Sequence, residues 1–231
     1  MPTEKEVYAL HANQYERLIQ REDFQNNIIN AIQKIIPLNH LEIVDLGAGT
    51  GRLTRLLAPI SNSVLATDLS PQMLHVAWDS LQKISAKNWF TAAADNANLP
   101  IKTSCFDMVI SGWSLCYLAV WGGENWESAL QNGFAEIKRI LRKNGSIIIL
   151  ETMGTGFEIP NPPPHLANYF AFLKEMGFLS TWIRTDYQFK SQAEAEELSL
   201  FFFGEELSLK VRENRWVILP ECTGVWWIEN K

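Results

Sequence analysis

The chain has 231 residues and a formal charge of −6, and aromatic residues make up 11% of it. A chain of this length fits one ordinary folded domain, and its acidic balance leaves no basic field that would attract nucleic acid. The cysteines Cys105, Cys116 and Cys222 lie far apart and form no C-x-x-C pair, so we expect neither a disulfide framework nor a metal site.

Membrane-directing patterns are also missing from the sequence. Residues 1–20 mix charged and apolar side chains and do not form the apolar core of a signal peptide. Elsewhere, no apolar run approaches the roughly 18 residues that a transmembrane helix needs. We therefore expect a cytoplasmic protein with reduced cysteines and without membrane or nucleic-acid partners, and its oligomeric state stays open.

Apolar residues recur at helical spacing in two segments that precede Pro37. From Leu41 to Glu151, apolar strand patterns then alternate with helical patterns. Alternation with short loops favours a parallel sheet covered by helices on both faces. The predicted strands are 41–46, 64–67, 89–94, 106–111 and 146–151, and the predicted helices are 51–60, 71–85 and 125–141.

The pattern changes after Glu151, where a stretch rich in glycine and proline predicts a surface loop. A helix is predicted from Leu166 to Met176, closed by Gly177. Two further strands, 178–189 and 216–229, are separated by a helical stretch, 191–214, and are expected to pair antiparallel at one edge of the sheet. The whole chain, 1–231, is predicted to be one domain, with N-terminal helices in 1–37, a core in 41–151, and the remaining strands and helices in 152–231.

The segment VDLGAGTG, residues 44–51, places three glycines at alternate positions between a predicted strand and a helix. A glycine turn after the first strand of an open parallel sheet lets a ligand contact the backbone. The spacing differs from the dinucleotide motif G-x-G-x-x-G, because Arg52 stands where that motif has its third glycine. Together with Asp45, the turn resembles motif I of the class I S-adenosylmethionine-dependent methyltransferases.

The resemblance continues in order over residues 41–151. DLSPQML at 68–74 is similar to the motif at the family's second strand, and residues 92–111 are similar to the third and fourth motifs. It implies an α/β fold with a Rossmann-like, doubly wound, mostly parallel sheet and N-terminal lid helices. It also implies that S-adenosylmethionine is the cofactor and S-adenosylhomocysteine the product, as in small-molecule methyltransferases of types 11 and 25.

By this resemblance, Asp45 lies beside the cofactor's amino group, Asp68 accepts hydrogen bonds from the ribose hydroxyls, and Asp95 binds the adenine amino group. Simpler explanations stand beside these roles. Asp45 or Asp68 could cap the helix that follows it, and Asp95 could form an Asx turn. The predicted cofactor-binding residues are Tyr15, Asp45, Gly47, Ala48, Gly49, Thr50, Gly51, Asp68, Leu69, Met73, Asp95, Asn96, Ala97, Ser111, Gly112 and Trp113.

Segments outside the shared core carry many aromatic side chains, and in similar proteins these segments form the substrate pocket. We expect an apolar, ring-lined pocket for a small organic acceptor. Rings near the sulfonium would add cation–π attraction. Most of these rings, among them Phe170, Trp182 and those at 201–203, are expected in the core instead. The residues predicted to line the substrate pocket are Tyr8, Tyr117, Trp121 and Trp226.

A general base is needed only if the acceptor must lose a proton. The candidates are His11, His165 and Glu221, with Glu124 and Glu151 as further acids. His11 could equally be an inert surface residue, and an acid within a strand, such as Glu221, needs a partner or solvent. No motif selects among these residues, so the catalytic residue stays open.

Three functions remain compatible with these patterns. The first is methyl transfer by in-line displacement to a small, apolar or aromatic acceptor whose identity and reacting atom are open. The second is an NAD-dependent oxidoreductase, which Arg52 counts against. The third is a protein of the same fold that binds the cofactor without turnover. The sequence after the fourth strand, ISGWSL, lacks the N-P-P-Y signature of amino-methylating enzymes, which disfavours methylation of DNA bases.

Overall fold

The structure is a computed structural model that describes residues 3–230, and its centre is a seven-stranded sheet. The strands are β1 (Glu42–Leu46), β2 (Ser63–Asp68), β3 (Trp89–Ala93), β4 (Phe106–Gly112), β5 (Leu141–Thr155), β6 (Leu179–Arg184), β7 (Tyr187–Gln188), β8 (Ile218–Leu219) and β9 (Glu221–Glu229). The sheet order is β3-β2-β1-β4-β5-β9-β6, while β7 and β8 form a separate two-stranded ribbon. Strands β1 to β5 are mutually parallel. The predicted Rossmann-like fold is confirmed.

Ten α-helices accompany the strands within residues 3–230. They are α1 (Glu4–Leu10), α2 (Ala12–Ile19), α3 (Asn27–Ile35), α4 (Arg52–Leu57), α5 (Pro71–Leu81), α6 (Cys116–Val120), α7 (Trp126–Ile140), α8 (Ala167–Glu175), α9 (Gln192–Phe203) and α10 (Glu205–Glu213). Within the same described residues, no helix has the length and apolar character needed to span a bilayer.

The central strands are buried on both faces, as their continuous apolar sequences require. Successive residues of β1 alternate between two cores, because side chains of a strand point to opposite faces. Ile43 packs in one core with Ile28 and Leu57. Val44 packs in the other core with Phe134. Helices therefore cover both faces of the sheet. A ligand can reach the sheet at the ends of its strands, which the helices do not cover.

Two helical predictions were too simple. The first N-terminal pattern is broken into α1 and α2 at His11, whose backbone leaves the helical region at φ −125° and ψ 28°. The stretch 191–214 is divided into α9 and α10 by Gly204, at φ 88° and ψ −176°, a conformation open to glycine. The short helix α6, directly after the loop that follows β4, was not predicted.

The predicted antiparallel pair at the sheet edge is confirmed, but the order of its two strands in the sheet is the reverse of their order along the chain. The last strand, β9, lies between β5 and β6 and runs antiparallel to both. The second predicted strand is divided at Pro220 into β8 and β9. Only β9 joins the main sheet, whereas β8 pairs with β7. Proline removes a ladder donor, which fits this break.

The strand order reverses between β1 and β4, which are adjacent parallel neighbours although two strands separate them in sequence. In an open parallel sheet, such a reversal leaves a crevice beyond the carboxyl ends of the strands. Asp45 and Asp68 lie at the carboxyl ends of β1 and β2, and the loop after β4 begins at the same edge. The fold therefore directs these segments to one place.

Candidate cofactor-binding site

A cavity of about 590 Å³ opens at the carboxyl ends of β1, β2 and β4. Its wall combines the glycine turn, the start of α5, the loop after β4, and side chains from α1, α2 and α6. This volume lies within the range typical of small-molecule sites, about 300 to 1,000 Å³. The cavity therefore brings the predicted cofactor motifs together with the N-terminal helices.

The glycine turn depends on backbone that only glycine adopts readily, since Gly47, Gly49 and Gly51 have φ of 64°, 57° and 83°. A β-carbon at Gly47 would lie 1.7 Å from Ser114 Oγ, so this glycine allows the loop after β4 to approach. At Gly49, a β-carbon would lie 3.8 Å from both Tyr15 and Met73. All three of those residues line the cavity, so glycine leaves a cradle between two side chains.

Asp68 braces the turn and contributes to the cavity wall. Its Oδ2 accepts a hydrogen bond from Gly49 N at 2.8 Å, and its Oδ1 accepts one from Ser70 N at 2.8 Å. The N-cap of α5 is Ser70, whose hydroxyl accepts from Met73 N, so Asp68 is not the helix cap. Burial raises the pKa of Asp68, and the backbone hydrogen bonds oppose that rise.

Asp45 has one oxygen engaged and one without a hydrogen-bond partner among residues 3–230. Oδ2 accepts from Thr54 N at 3.0 Å and from Thr54 Oγ1 at 2.6 Å. Asp45 therefore binds a backbone N–H in the first turn of α4, which is the simpler role considered for this acid. Oδ1 is buried without such a partner, and Asp45 contributes to the cavity wall. Burial raises the pKa of Asp45 to about 6 despite the bonds from Thr54.

Asp95 and Asn96 line the cavity beyond β3. Asp95 Oδ1 accepts from Ala97 N at 2.9 Å, which is the Asx turn considered as the simpler explanation. The two explanations are compatible, because the turn holds an exposed carboxylate at the cavity edge. Asn96 Nδ2 donates to Ser114 Oγ at 3.4 Å and so connects this segment to the loop after β4.

Aromatic residues from three helices form what we call the aromatic end of the cavity: Tyr8, Tyr15, Tyr117 and Trp121. The hydroxyls of Tyr8 and Tyr117 are 2.7 Å apart. Tyr117 stacks on Trp121 with ring centroids 4.3 Å apart, and Tyr15 meets Tyr8 edge to face. Burial raises the pKa of Tyr15 to about 12, and it raises the pKa of Tyr8 as well, so these phenols keep their protons at neutral pH.

Comparison with known proteins agrees with this geometry. Residues 44–149 match the family described as "Methyltransferase domain". This match runs from β1 to β5 and includes the predicted cofactor motifs. A solved structure described as a SAM dependent methyltransferase from Aquifex aeolicus has a similar fold, with a TM-score of 0.56, 14% identity, and coverage of 86% of this chain and 88% of that chain.

Two curated proteins to which the chain is similar differ in their named reactions. A demethylmenaquinone methyltransferase of Tropheryma whipplei is 27% identical over 110 residues, which cover 48% of this chain and 41% of that protein. A malonyl-[acyl-carrier protein] O-methyltransferase of Legionella pneumophila is 25% identical over 174 residues, covering 73% and 56% respectively. The chain thus spans about half the length of these relatives.

Three residues predicted for the cofactor site do not line this cavity. Gly51 packs against α5 instead, where its β-carbon would lie 3.2 Å from that of Ala77. Ser111 is a buried residue of β4 whose hydroxyl donates to Leu46 O at 3.0 Å. Ala97 donates its backbone N–H to Asp95 and is not part of the wall. The structure therefore places these three residues away from the cavity wall, because motif spacing does not determine which face of a strand or turn a side chain occupies.

The substrate-pocket prediction needs one correction. Trp226 is buried in the core and stacks on Phe170 with ring centroids 4.7 Å apart. It belongs to β9, which lies on the far side of β5 from the cavity. The other predicted pocket residues, Tyr8, Tyr117 and Trp121, do line the cavity.

None of the three base candidates lines the cavity. His165 is exposed in a short 3₁₀ turn before α8, and His11 meets Phe201 edge to face at 5.7 Å. Glu221 is buried at the start of β9 and accepts a hydrogen bond from Thr152 Oγ1 at 2.7 Å. Burial raises the pKa of Glu221 to about 8. The two further acids, Glu124 and Glu151, are also absent from the wall.

Arg52 lines the cavity, although the sequence motifs pointed to it only as the residue that replaces the third glycine of the dinucleotide motif. Ser114, Leu118 and Lys5 on the wall were likewise not singled out. The available signal was that Arg52 directly follows the glycine turn, where a side chain begins close to the ligand. Residues 3–230 contain no group of three or more His, Cys, Asp or Glu side chains arranged to hold a metal ion.

Glu151 gives a prediction for stability. It is 1% exposed, accepts from Cys116 N at 3.2 Å, and has its pKa raised by burial to about 8 from a usual 4.5. The folded state therefore holds this proton more tightly than the unfolded state. The resulting stabilisation is complete below about pH 4.5 and is lost as the pH rises towards 8, by up to about 1.4 kcal/mol per pH unit.

Replacing Glu151 with glutamine, which mimics the protonated acid, should remove this dependence. Relative to the native chain, Glu151→Gln is expected to become progressively more stable between pH 5 and pH 8. Urea unfolding at several pH values measures the difference. Glu127→Gln, on the exposed face of α7, controls for the loss of one charge. A constant difference across the range would show that Glu151 does not titrate as stated.

Proposed function

We propose that the chain binds S-adenosylmethionine in this cavity and transfers its methyl group to a small, apolar or aromatic organic acceptor. The observation that carries the proposal is the convergence of Asp45, Asp68 and Asp95 around one glycine-lined cavity. Acids suit a ligand that carries an ammonium and a sulfonium, whereas a pyrophosphate would be repelled by them. This charge pattern supports the methyl donor over a dinucleotide.

The residues present fit the cofactor in three respects. The unpartnered buried Asp45 Oδ1 offers an acceptor for an ammonium group. Asp68 and Asp95 offer carboxylates at successive strand ends for the ribose and the adenine amino group. The cradle at Gly49, between Tyr15 and Met73, leaves room for a ligand beside the backbone. Bound there, the cofactor supplies an activated methyl group on a positively charged sulfur.

The chain's own contribution is positioning. Its aromatic end can hold an apolar acceptor in line with the methyl group and exclude water, and such alignment contributes about 7 to 11 kcal/mol in well-oriented reactions. The phenols of Tyr8 and Tyr15 retain their protons, so they serve as hydrogen-bond donors rather than bases. We infer that the acceptor reaches the cavity with its nucleophilic lone pair already available.

The named reactions of the relatives use unlike acceptors, a demethylmenaquinone and a malonyl group on a carrier protein. We assign neither of these acceptors to this chain. The aromatic end instead supports the broader class of small apolar or aromatic acceptors, because stacked rings present a flat apolar surface with only a few polar atoms.

Isothermal titration with S-adenosylmethionine and S-adenosylhomocysteine tests the first half of the proposal, and saturable binding of both is expected. Mass spectrometry after incubation with a panel of phenols, carboxylic acids and amines then tests methyl transfer. Absence of heat at millimolar ligand would contradict the proposal. Binding without transfer to any acceptor would favour a non-catalytic cofactor-binding protein, and binding of reduced nicotinamide cofactor instead would favour an oxidoreductase.

A further inference from the structure

Arg52 is a cation in the cavity wall, and none of the cofactor contacts proposed above involves it. It is the first residue of α4 and directly follows Gly51. Its side chain is only 12% exposed, and its guanidinium carbon lies 3.6 Å from the centroid of the Trp113 ring. Nη1 of Arg52 pairs with the Glu22 carboxylate. The guanidinium is therefore held between an aromatic face and an acid at the edge of the cavity.

Most of the hydrogen-bonding capacity of Arg52 is unused by the protein. A guanidinium has five N–H donors in a planar fork. Within residues 3–230, Glu22 is the only hydrogen-bond acceptor for this side chain, and it engages a single nitrogen. No nitrogen of Arg52 is among the buried polar atoms that lack a partner, so its free N–H groups are open to the cavity rather than enclosed by protein. Because Arg52 contributes to the cavity wall, an anionic group of a ligand can satisfy them.

The remaining charges of the cavity indicate which anion this is. Asp45, Asp68 and Asp95 match the positive and hydrogen-bond-donating parts of S-adenosylmethionine, which leaves its single carboxylate to be matched. The other cation on the wall, Lys5, is exposed and lies over the Trp121 ring at the aromatic end, 4.7 Å from its centroid. Arg52 instead directly follows the glycine turn, and Asp45, the acid proposed for the ammonium, precedes that turn. The α-carboxylate is bonded to the same carbon as the ammonium, so it must lie close to it.

We propose that Arg52 binds the α-carboxylate of the cofactor, with Glu22 and Trp113 holding the guanidinium in position. The assignment rests on the proposed function. A planar fork can present two parallel N–H groups to a carboxylate while its other edge keeps Glu22. The same geometry would let the chain discriminate between S-adenosyl ligands that carry the carboxylate and those that lack it.

The test compares two probes by isothermal titration: S-adenosylhomocysteine, and its analogue in which hydrogen replaces the α-carboxylate. The native chain is expected to bind S-adenosylhomocysteine about 10- to 100-fold more tightly than the analogue, as charge-assisted hydrogen bonds imply. Arg52→Gln should reduce this preference to less than about threefold, chiefly by weakening the binding of S-adenosylhomocysteine. Arg52→Lys should fall between, because it keeps the charge and loses the fork.

Arg55→Gln is the matched control. Arg55 lies on the same short helix and pairs with Glu16 at 2.8 Å, but it is not part of the cavity wall. Its variant should keep the native preference. Because Arg52→Gln leaves Glu22 unpaired, the double variant Glu22→Gln/Arg52→Gln is measured as well, and it should show the same collapsed preference in a chain without the unpaired acid.

The outcomes separate the two proposals. If the native chain binds neither probe, the proposed function is overturned. If it binds both equally, or if the Arg52 variants keep the native preference, cofactor binding stands and the Arg52 assignment is overturned. A variant that keeps the preference but loses methyl transfer would assign the guanidinium to an anionic acceptor, which also overturns the inference. A preference lost only in the Arg52 variants supports it.

Discussion

Replacing Gly47 with alanine is expected to lower the free energy of unfolding by about 2 to 5 kcal/mol. Two costs add. The backbone of Gly47, at φ 64°, is strained for a residue with a side chain. In addition, the new β-carbon would lie 1.7 Å from Ser114 Oγ and 2.4 Å from Ser114 Cβ. The loop after β4 would have to move away from the turn, so binding of S-adenosylhomocysteine should weaken too.

Urea unfolding of Gly47→Ala measures the loss, and Gly123→Ala separates its two causes. Gly123 has φ 57°, but a β-carbon there would meet nothing within 4 Å, so only the backbone cost of about 1 to 2 kcal/mol applies. The double variant Gly47→Ala/Ser114→Gly should recover the part due to the clash. Equal losses in Gly47→Ala and Gly123→Ala would show that the close approach of Ser114 contributes nothing.

Replacing Asp68 with alanine is expected to weaken the binding of S-adenosylhomocysteine by about 100-fold or more. The carboxylate is proposed to accept from the ribose hydroxyls, and each hydrogen bond to a charged group is worth about 1.5 to 3 kcal/mol. The change also frees Gly49 N and Ser70 N, which Asp68 holds at 2.8 Å each. Asp68→Asn should lose less, because it keeps one acceptor oxygen.

Isothermal titration measures the affinity of each Asp68 variant, and circular dichroism during heating checks that it is folded. Asp79→Ala is the matched control, since the Asp79 side chain on α5 is 62% exposed and lies 3.9 Å from His75, away from the cavity wall. It should bind like the native chain. Native affinity in a folded Asp68→Ala variant would remove the acid at β2 from the proposed site.

Short-range patterns explain what could be predicted here. The strands and helices between β1 and β5 follow from the period of apolar residues within each segment, which neighbouring residues determine. The glycine turn was predictable for the same reason, since a positive φ at alternate positions is a local requirement. Asp45 and Asp68 follow from these elements, because the carboxyl ends of parallel strands share one edge.

The positions of long-range partners were not predictable in this way. Trp226 is an aromatic residue of the kind expected in a ring-lined pocket. It lies in the core instead, because β9 inserts between β5 and β6. The base candidates His165 and Glu221 were chosen by residue type, and neither reaches the cavity. Residue type alone cannot distinguish a wall from a core, because burial depends on which strands become neighbours.

The sequence by itself determined the class of the domain, the order of its strands and helices along the chain, and the acids that follow its parallel strands, because each rests on contiguous residues. Only the tertiary structure decided which side chains meet. Glu22 pairs with Arg52 across 30 positions, and Tyr8 meets Tyr117 across 109. Such contacts arise when packing of the apolar faces closes long loops, and no local pattern records them.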